Sequence, residues 1–262
     1  MNDSRTDDMP HLIACRLESY GKYVDRAWSH LPTIGIQNVE IDVPAANEIA
    51  DIHSRLAGHG LAVSSMHGIV DIASEQVVES MRPQFDMCTQ FGTHYMFVSV
   101  QAGEVPRDVV WQRLRDIGAV AGEHDVMVVM ETHPDLITSA AVALQTMREV
   151  DHPNIRINFD TANIYYYNEN VTASGELAKV IDYVGSLHLK DTTGGLHEWN
   201  FPTLGQGVVD FTSVFALLDD AGFTGPCTME LEGAKGLERT QSEQLAHVAD
   251  SAAFLRSLGV MP

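Results

Sequence analysis

The stretch Val126-Met-Val-Val-Met-Glu131-Thr-His133 decides the fold. An unbroken apolar run without polar alternation describes a strand buried on both faces, as in a parallel sheet covered by helices. The run then stops at charged and polar groups. Similar segments recur along the chain: His11–Leu17, Asn38–Val43, Ala62–His67, Tyr95–Val100, Val126–His133, Ile155–Asn163, Val184–Asp191 and Pro226–Gly233. Helical patterns lie between them, at Val24–Leu31, Ala46–Gly58, Ser74–Phe91, Arg107–Glu123, Ser139–Val150, Ser174–Ile181, Phe211–Ala221 and Arg239–Leu258. In the fourth, Val110, Leu114, Ile117 and Ala121 fall on one face. Gly58, Gly60, Gly92 and Gly222 mark the turns back to the next strand. This alternation, with no linker and no break in composition, predicts an α/β fold, a single (β/α)8 TIM barrel over residues 11–262 behind a polar tail at 1–10. A doubly wound open sheet would want a glycine-rich phosphate turn after the first strand, and none is there.

In such a barrel the active site lies at the C-terminal ends of the strands. Strand five ends at Glu131, strand six at Asp160, strand seven at His188 and strand eight at Glu230. The first two intervals match one strand-helix unit each, and the third is longer because a loop is inserted. Charged groups after runs of valine and methionine would be costly if they pointed into an unpaired core. A divalent cation removes that cost by turning three carboxylates and an imidazole into ligands. Three oxygens and one nitrogen suit Mn²⁺, Mg²⁺, Co²⁺ or Zn²⁺ better than a thiol-seeking metal. Any one of these residues could instead cap a helix or hold a loop. Four in register on adjacent strands are harder to explain that way.

The charge balance excludes other functions. With 16 basic and 36 acidic residues the formal net charge is −20, a poor surface for a nucleic-acid backbone or an anionic membrane. The three cysteines, Cys15, Cys88 and Cys227, form no CxxC pair and read as reduced thiols. The polar, acidic N-terminus shows no signal peptide, and no uncharged run reaches the roughly 18 apolar residues of a membrane span. A cytoplasmic protein is the expectation.

The stretches METHPD (Glu131), NFDTAN (Asp160), SLHLKD (His188), LGQGVVDF (Gly205–Phe211) and GPCTMELEG (Glu230) resemble the xylose-isomerase-like superfamily of sugar phosphate isomerases and epimerases. That group includes D-tagatose 3-epimerase, hydroxypyruvate isomerase and inosose dehydratase, with endonuclease IV more distant. The motifs cover Glu131 to Glu232; the first half matches mainly in strand rhythm. The resemblance implies one divalent metal, with Mn²⁺ first in line, held by Glu131, Asp160, His188 and Glu230. It implies Glu131 and Glu230 as the catalytic pair, on opposite sides of a carbohydrate substrate. A metal-stabilised enediolate would form when one carboxylate takes the proton beside the carbonyl. The same intermediate could expel a leaving group, giving a dehydratase or a lyase on a keto-sugar or 3-keto-glycoside. A non-catalytic sugar-binding subunit is a third reading. Epimerases of this group often carry histidine three residues after the strand-six aspartate, whereas this chain has Asn163, which cannot titrate. Several of the extra ligand positions of an endonuclease IV-like nuclease are missing.

Further candidates for substrate contact are His67, Glu40, Asn163, Lys190 and Trp199. His67 could equally be a structural histidine, and Glu40 could orient an arginine. Lys190 could stabilise an oxyanion or pair with a neighbouring carboxylate. His133 shares strand parity with Glu131 and could support it, while Glu232 shares the face of Glu230. Trp199 lies in the inserted segment Thr192–Gly207, which could cover a sugar or form a subunit contact, so a homodimer is conceivable. Tyr165-Tyr-Tyr167 could stack near the site or fill the gap behind it. Only Arg16, Lys190, Lys235 and Arg239 stand near strand ends or their loops, a sparse basic set that favours an unphosphorylated substrate.

Overall fold

The computed structural model describes residues 11–261; the predicted tail at 1–10 lies outside them. Eight parallel strands form a closed barrel: β1 (Leu12–Arg16), β2 (Asn38–Asp42), β3 (Ala62–His67), β4 (Tyr95–Val98), β5 (Met127–Glu131), β6 (Ile155–Asp160), β7 (Val184–Leu189) and β8 (Pro226–Met229). The ring closes where β1 pairs with β8, Leu12 opposite Pro226. The expected TIM barrel is therefore the observed one.

Strand parity explains the two layers of the interior. Met130, Ile157, Phe159, Leu187, Leu189 and Met229 join one continuous apolar core with the helices. The alternate residues Asn158, Ser186, Thr228 and Ser65 are polar and almost fully buried. They face the barrel axis, where Ser186 Oγ donates to Asn158 Oδ1 at 3.0 Å. The three cysteines are buried and free, and burial pushes the Cys15 and Cys88 thiols up to about 12, so both stay neutral. No helix among the described residues is long and apolar enough to cross a membrane.

The strands end earlier than the apolar runs suggest. β5 stops at Glu131, β6 at Asp160 and β8 at Met229, although the N–H groups of Thr132, Thr161 and Glu230 still reach carbonyls of the neighbouring strand. Residues expected to finish strand six instead open a short helix, α6 (Asn163–Tyr167). The helix expected at Val24–Leu31 is a 3-10 segment, Leu17–Arg26, continuing as α1 (Ala27–Thr33). The inserted segment is not a plain loop: Asn200–Phe201 pairs antiparallel with Gly233–Ala234 as a short ribbon over the barrel mouth.

Asp191 fixes the base of that insertion. Its fully buried carboxylate accepts the N–H groups of Thr192 at 2.9 Å, Gly205 at 2.9 Å, Gly207 at 2.8 Å and Val209 at 3.2 Å. Gly205 has a φ of +82°, and a Cβ at Gly207 would overlap the Asp191 carboxylate, so the chain can wrap this closely only with glycine there. The last long helix, α9 (Gln241–Ser257), starts from a Thr240–Glu243 capping box and buries His247.

Two outcomes test this description. Asp191→Ala strands four backbone donors and is expected to lower unfolding stability by about 3 kcal/mol, with new protease cleavage between residues 192 and 209; urea titration and limited proteolysis check it. Burial, with help from Arg239, lowers the His247 pKa to about 4. Above pH 6.5 this costs nothing, but as pH falls from 6.5 towards 4 the unfolded chain takes a proton that the folded one refuses. His247→Gln should therefore lose about 2 kcal/mol less stability between pH 7 and 4.5 than the unaltered protein, measured by denaturation at both pH values.

Candidate metal centre

Glu131 ends β5, Asp160 ends β6, His188 sits one residue from the end of β7, and Glu230 follows β8. Each offers one ligand atom, and the four atoms lie within 4.8 Å of one another with all four residues buried. The four strands are consecutive in the barrel, so the unit repeat alone brings these ends together. The predicted ligand set is thus a physical cluster.

Local bonding aims each group. Asp160 Oδ1 accepts the N–H groups of Ala162 and Asn163, both at 2.8 Å, capping α6. That leaves Oδ2 turned to the cluster. Ser99 Oγ donates to Glu131 Oε2. His188 Nε2 lies 3.1 Å from Glu40 Oε1, and its Nδ1 lies 3.2 Å from Glu230 Oε2. A carboxylate at Nε2 favours the proton there and turns the Nδ1 lone pair towards the cluster.

The same crowding governs the charges. Burial alone would lower the His188 pKa, but Glu230 and Glu40 raise it well above the usual range. Burial would likewise lower that of Lys190, and Asp160, Glu230 and Glu232 raise it instead. Its Nζ is 3.0 Å from Asp160 Oδ2, 2.6 Å from Glu230 Oε2 and 2.8 Å from Glu232 Oε2. Burial raises Asp160. For Glu230, burial is outweighed by Lys190 and His188, which hold it well below the usual carboxylate range. For Glu131 it is outweighed by the contact with His188.

Asp160 Oδ2, His188 Nδ1 and Glu230 Oε2 are buried and have no hydrogen-bond partner, the two carboxylate oxygens being met only by the charge of Lys190 and, at Glu230, by the His188 ring. Buried polar atoms normally have partners. Three such atoms converging from three ligands, with Glu131 beside them, fit a divalent cation bound by oxygen and imidazole nitrogen.

Above the cluster lies a cavity of about 160 Å³. Its walls include Glu131 and Glu230, and of the further candidates His67, Asn163, Lys190 and Trp199. His67 stacks on Phe97 with centroids 4.4 Å apart and meets Asp42 through Nδ1 at 2.9 Å. Asn163 donates to Thr132 O at 3.2 Å. Glu40 departs from the expected substrate contact. It is 2% exposed and is not part of the cavity wall; Ser65 Oγ donates to it at 2.6 Å and Arg16 Nη1 at 3.3 Å. Its neighbours on β1, β3 and β7 close over the carboxylate. His133 also lines the cavity and meets Tyr167 Oη at 3.1 Å. Tyr166 and Tyr167 face the cavity, whereas Tyr165 packs on the core. Glu232 pairs with Lys190 and stands apart from the four ligands. Ser99 belongs to the site without having been singled out for it, whereas Arg16, named from the sequence only as a basic group near a strand end, lines the cavity as well.

Comparison with known proteins bears on the family and the fold. Residues 30–258 match the family described as "Xylose isomerase-like TIM barrel". L-ribulose-5-phosphate 3-epimerase UlaE of Salmonella paratyphi C (strain RKS4594) is 28% identical over 169 residues, 62% of this chain and 58% of that protein. Inosose dehydratase of Yersinia enterocolitica is 26% identical over 151 residues, 48% of this chain and 49% of that protein. Each match thus spans less than two thirds of the relative's length. The structure of D-allulose 3-epimerase from Methylomonas sp. in complex with D-allulose superposes with a TM-score of 0.72 at 15% identity, covering 95% of this chain and 97% of that one. That likeness concerns the fold.

The Glu40–His188 contact gives a test. Glu40→Leu is expected to weaken Mn²⁺ affinity by about 10- to 100-fold, and Glu40→Gln, which keeps an acceptor for Nε2–H, to recover most of it. Competition with a fluorescent chelator measures both.

Proposed function

The chain belongs to the xylose isomerase-like TIM barrel family, and on that premise we propose that it is a divalent-metal-dependent isomerase or epimerase of a sugar, keto-sugar or polyol derivative. The observation that carries the reading is the convergence of Glu131, Asp160, His188 and Glu230 on one buried point, under a cavity that two of them line. The epimerase activity of UlaE, the relative matched over the larger share of the chain, supports the same class.

Glu131, Asp160, His188 and Glu230 would hold the cation, which supplies Lewis-acid chemistry to substrate oxygens. The remaining work falls to the protein. Glu131 and Glu230 stand on strands three apart in a ring of eight, so they reach a bound substrate from different sides. Both carboxyls are held in the ionised form, ready to accept a proton from the carbon beside a carbonyl. Epimerisation follows when one takes the proton and the other returns it to the opposite face; isomerisation follows when the proton returns to the neighbouring carbon. Ser99 steadies Glu131, and Lys190 fixes Glu230. Asn163 offers a substrate hydroxyl a hydrogen bond without titrating. His67 and Trp199 bound the mouth, where hydroxyls and a ring face would meet them.

The match to inosose dehydratase favours one second reading, a dehydratase or β-eliminating lyase that uses the same two carboxylates. Incubation of Mn²⁺-loaded protein with ketoses in deuterated water distinguishes the two. Epimerisation and isomerisation change the product mass only by exchanged hydrogen, whereas elimination releases water or an alcohol. Glu131→Gln and Glu230→Gln are each expected to slow the exchange by about 10²- to 10⁴-fold, and metal removal by chelation to abolish it. Wild-type rates in either variant would refute the assignment.

A further inference from the structure

Two cavities meet at the barrel mouth. The inner one, about 160 Å³, lies over the four-residue cluster. The outer one, about 330 Å³, is walled by Glu18, Ser19 and Leu231, and it shares Arg16, Trp199, Glu230 and Glu232 with the first. The larger space is therefore the one beside the cluster. Ligand pockets run to roughly 300–1,000 Å³; the inner cavity falls short of that range, and the pair together falls within it. Trp199 stands at the junction, 43% exposed, held edge-on by Phe201 at 5.4 Å and Tyr166 at 6.3 Å between ring centroids.

The charges around the two cavities define what can enter. Arg16 lies within 3.6 Å of Glu18, Glu40, Asp42 and Glu230. Lys190 is held by three carboxylates, as described above. Among the described residues, neither lysine nor arginine lining these cavities is free of acidic partners. The backbone N–H groups of Gly205, Gly207 and Val209 form the sort of concavity that cradles a phosphate in other barrels, but here the Asp191 carboxylate fills it. A phosphorylated or carboxylated substrate would meet an acidic field in which both lining cations, Arg16 and Lys190, are already paired with carboxylates. Hydroxyl groups, by contrast, suit Glu18 and Glu232 as acceptors, and Leu231 with the Trp199 indole offers apolar surface for the C–H face of a ring.

We propose that the substrate is an uncharged glycoside or disaccharide, its reacting ring in the inner cavity and its second ring or aglycone in the outer cavity against Trp199. This rests on the metal-dependent sugar chemistry above and narrows its substrate class. Calorimetric titration of the Mn²⁺-loaded full chain tests it with D-fructose, D-fructose 6-phosphate and two disaccharides of the same ketose, lactulose and turanose. At least one disaccharide is expected to bind about tenfold more tightly than D-fructose, a difference of about 1.4 kcal/mol, and the phosphate more weakly than D-fructose. Glu18→Trp, which fills the outer cavity from one wall, should bring the ratio of disaccharide to monosaccharide affinity towards one; circular dichroism and a thermal melt establish that this variant is folded. Equal affinity for D-fructose and both disaccharides, an unchanged ratio in folded Glu18→Trp, or tighter binding of the phosphate overturns the proposal while leaving the sugar chemistry standing. Failure of all four sugars to bind, together with no hydrogen exchange on any ketose, overturns both.

Discussion

The structure depends on the cost of keeping carboxylates out of water. Glu40, Glu131, Asp160, Glu230 and Glu232 crowd the barrel mouth, most of them almost fully buried. Ionised groups in such a place are stable only when paired and hydrogen-bonded. Arg16 and Lys190 supply positive charge, and these two fixed cations among five acids leave an excess that a bound M²⁺ would offset. The interior of the barrel is polar as well. Asn158, Ser186 and Ser65 occupy positions where this fold commonly packs branched apolar side chains; Ser65 donates to the Glu40 carboxylate above it, and Ser186 and Asn158 bond to each other.

The two halves of the barrel divide the labour. β5 to β8 lead to the four converging groups, whereas β1 to β3 provide the side chains that hold His188 and, through Arg16, reach Glu230; Ser99 after β4 and Lys190 after β7 hold the rest. Ser65 binds Glu40, Glu40 binds His188, and Arg16 spans Glu40 and Glu230. Since β2 and β7 are not neighbours in the ring, the Glu40–His188 contact crosses the interior and ties one half to the other. A hydrogen-bonded chain of this kind limits the rotamers open to the imidazole, so the histidine ring is set before any ligand arrives.

The fold and the four converging residues were legible in the sequence because both are written in local patterns. A strand buried on both faces reads as an apolar run, and Glu131, Asp160, His188 and Glu230 interrupt such runs at regular positions. The role of Glu40 was not legible: Val-Glu-Ile-Asp places a carboxylate at the end of a strand, but only the closed ring brings it against a histidine from the opposite half. Strand ends were overestimated because the runs of strand-forming residues continue past the last paired positions, as at Asp160, whose carboxylate already accepts the N–H groups of Ala162 and Asn163 where the next helix opens. The ribbon made by Asn200–Phe201 and Gly233–Ala234 left no trace in periodicity, being two residues long on each side and set by tertiary contact. Asp191 was hidden in the same way. It follows an apolar strand just as the four converging residues do, yet its oxygens serve backbone amides.

Closure of the ring through β1 and β8 also imposes an order on synthesis. Leu12–Arg16 leaves the ribosome early and its outer edge waits for Pro226–Met229, while the Glu40–His188 contact joins residues 148 positions apart. Contacts so distant in sequence form slowly, and open edges are vulnerable in the interval. The closing strand is followed at once by Glu230, so a chain interrupted before this point lacks the last barrel strand and the last of the four converging side chains together. Translation thus couples completion of the scaffold to completion of the centre, and a product cut short there carries neither.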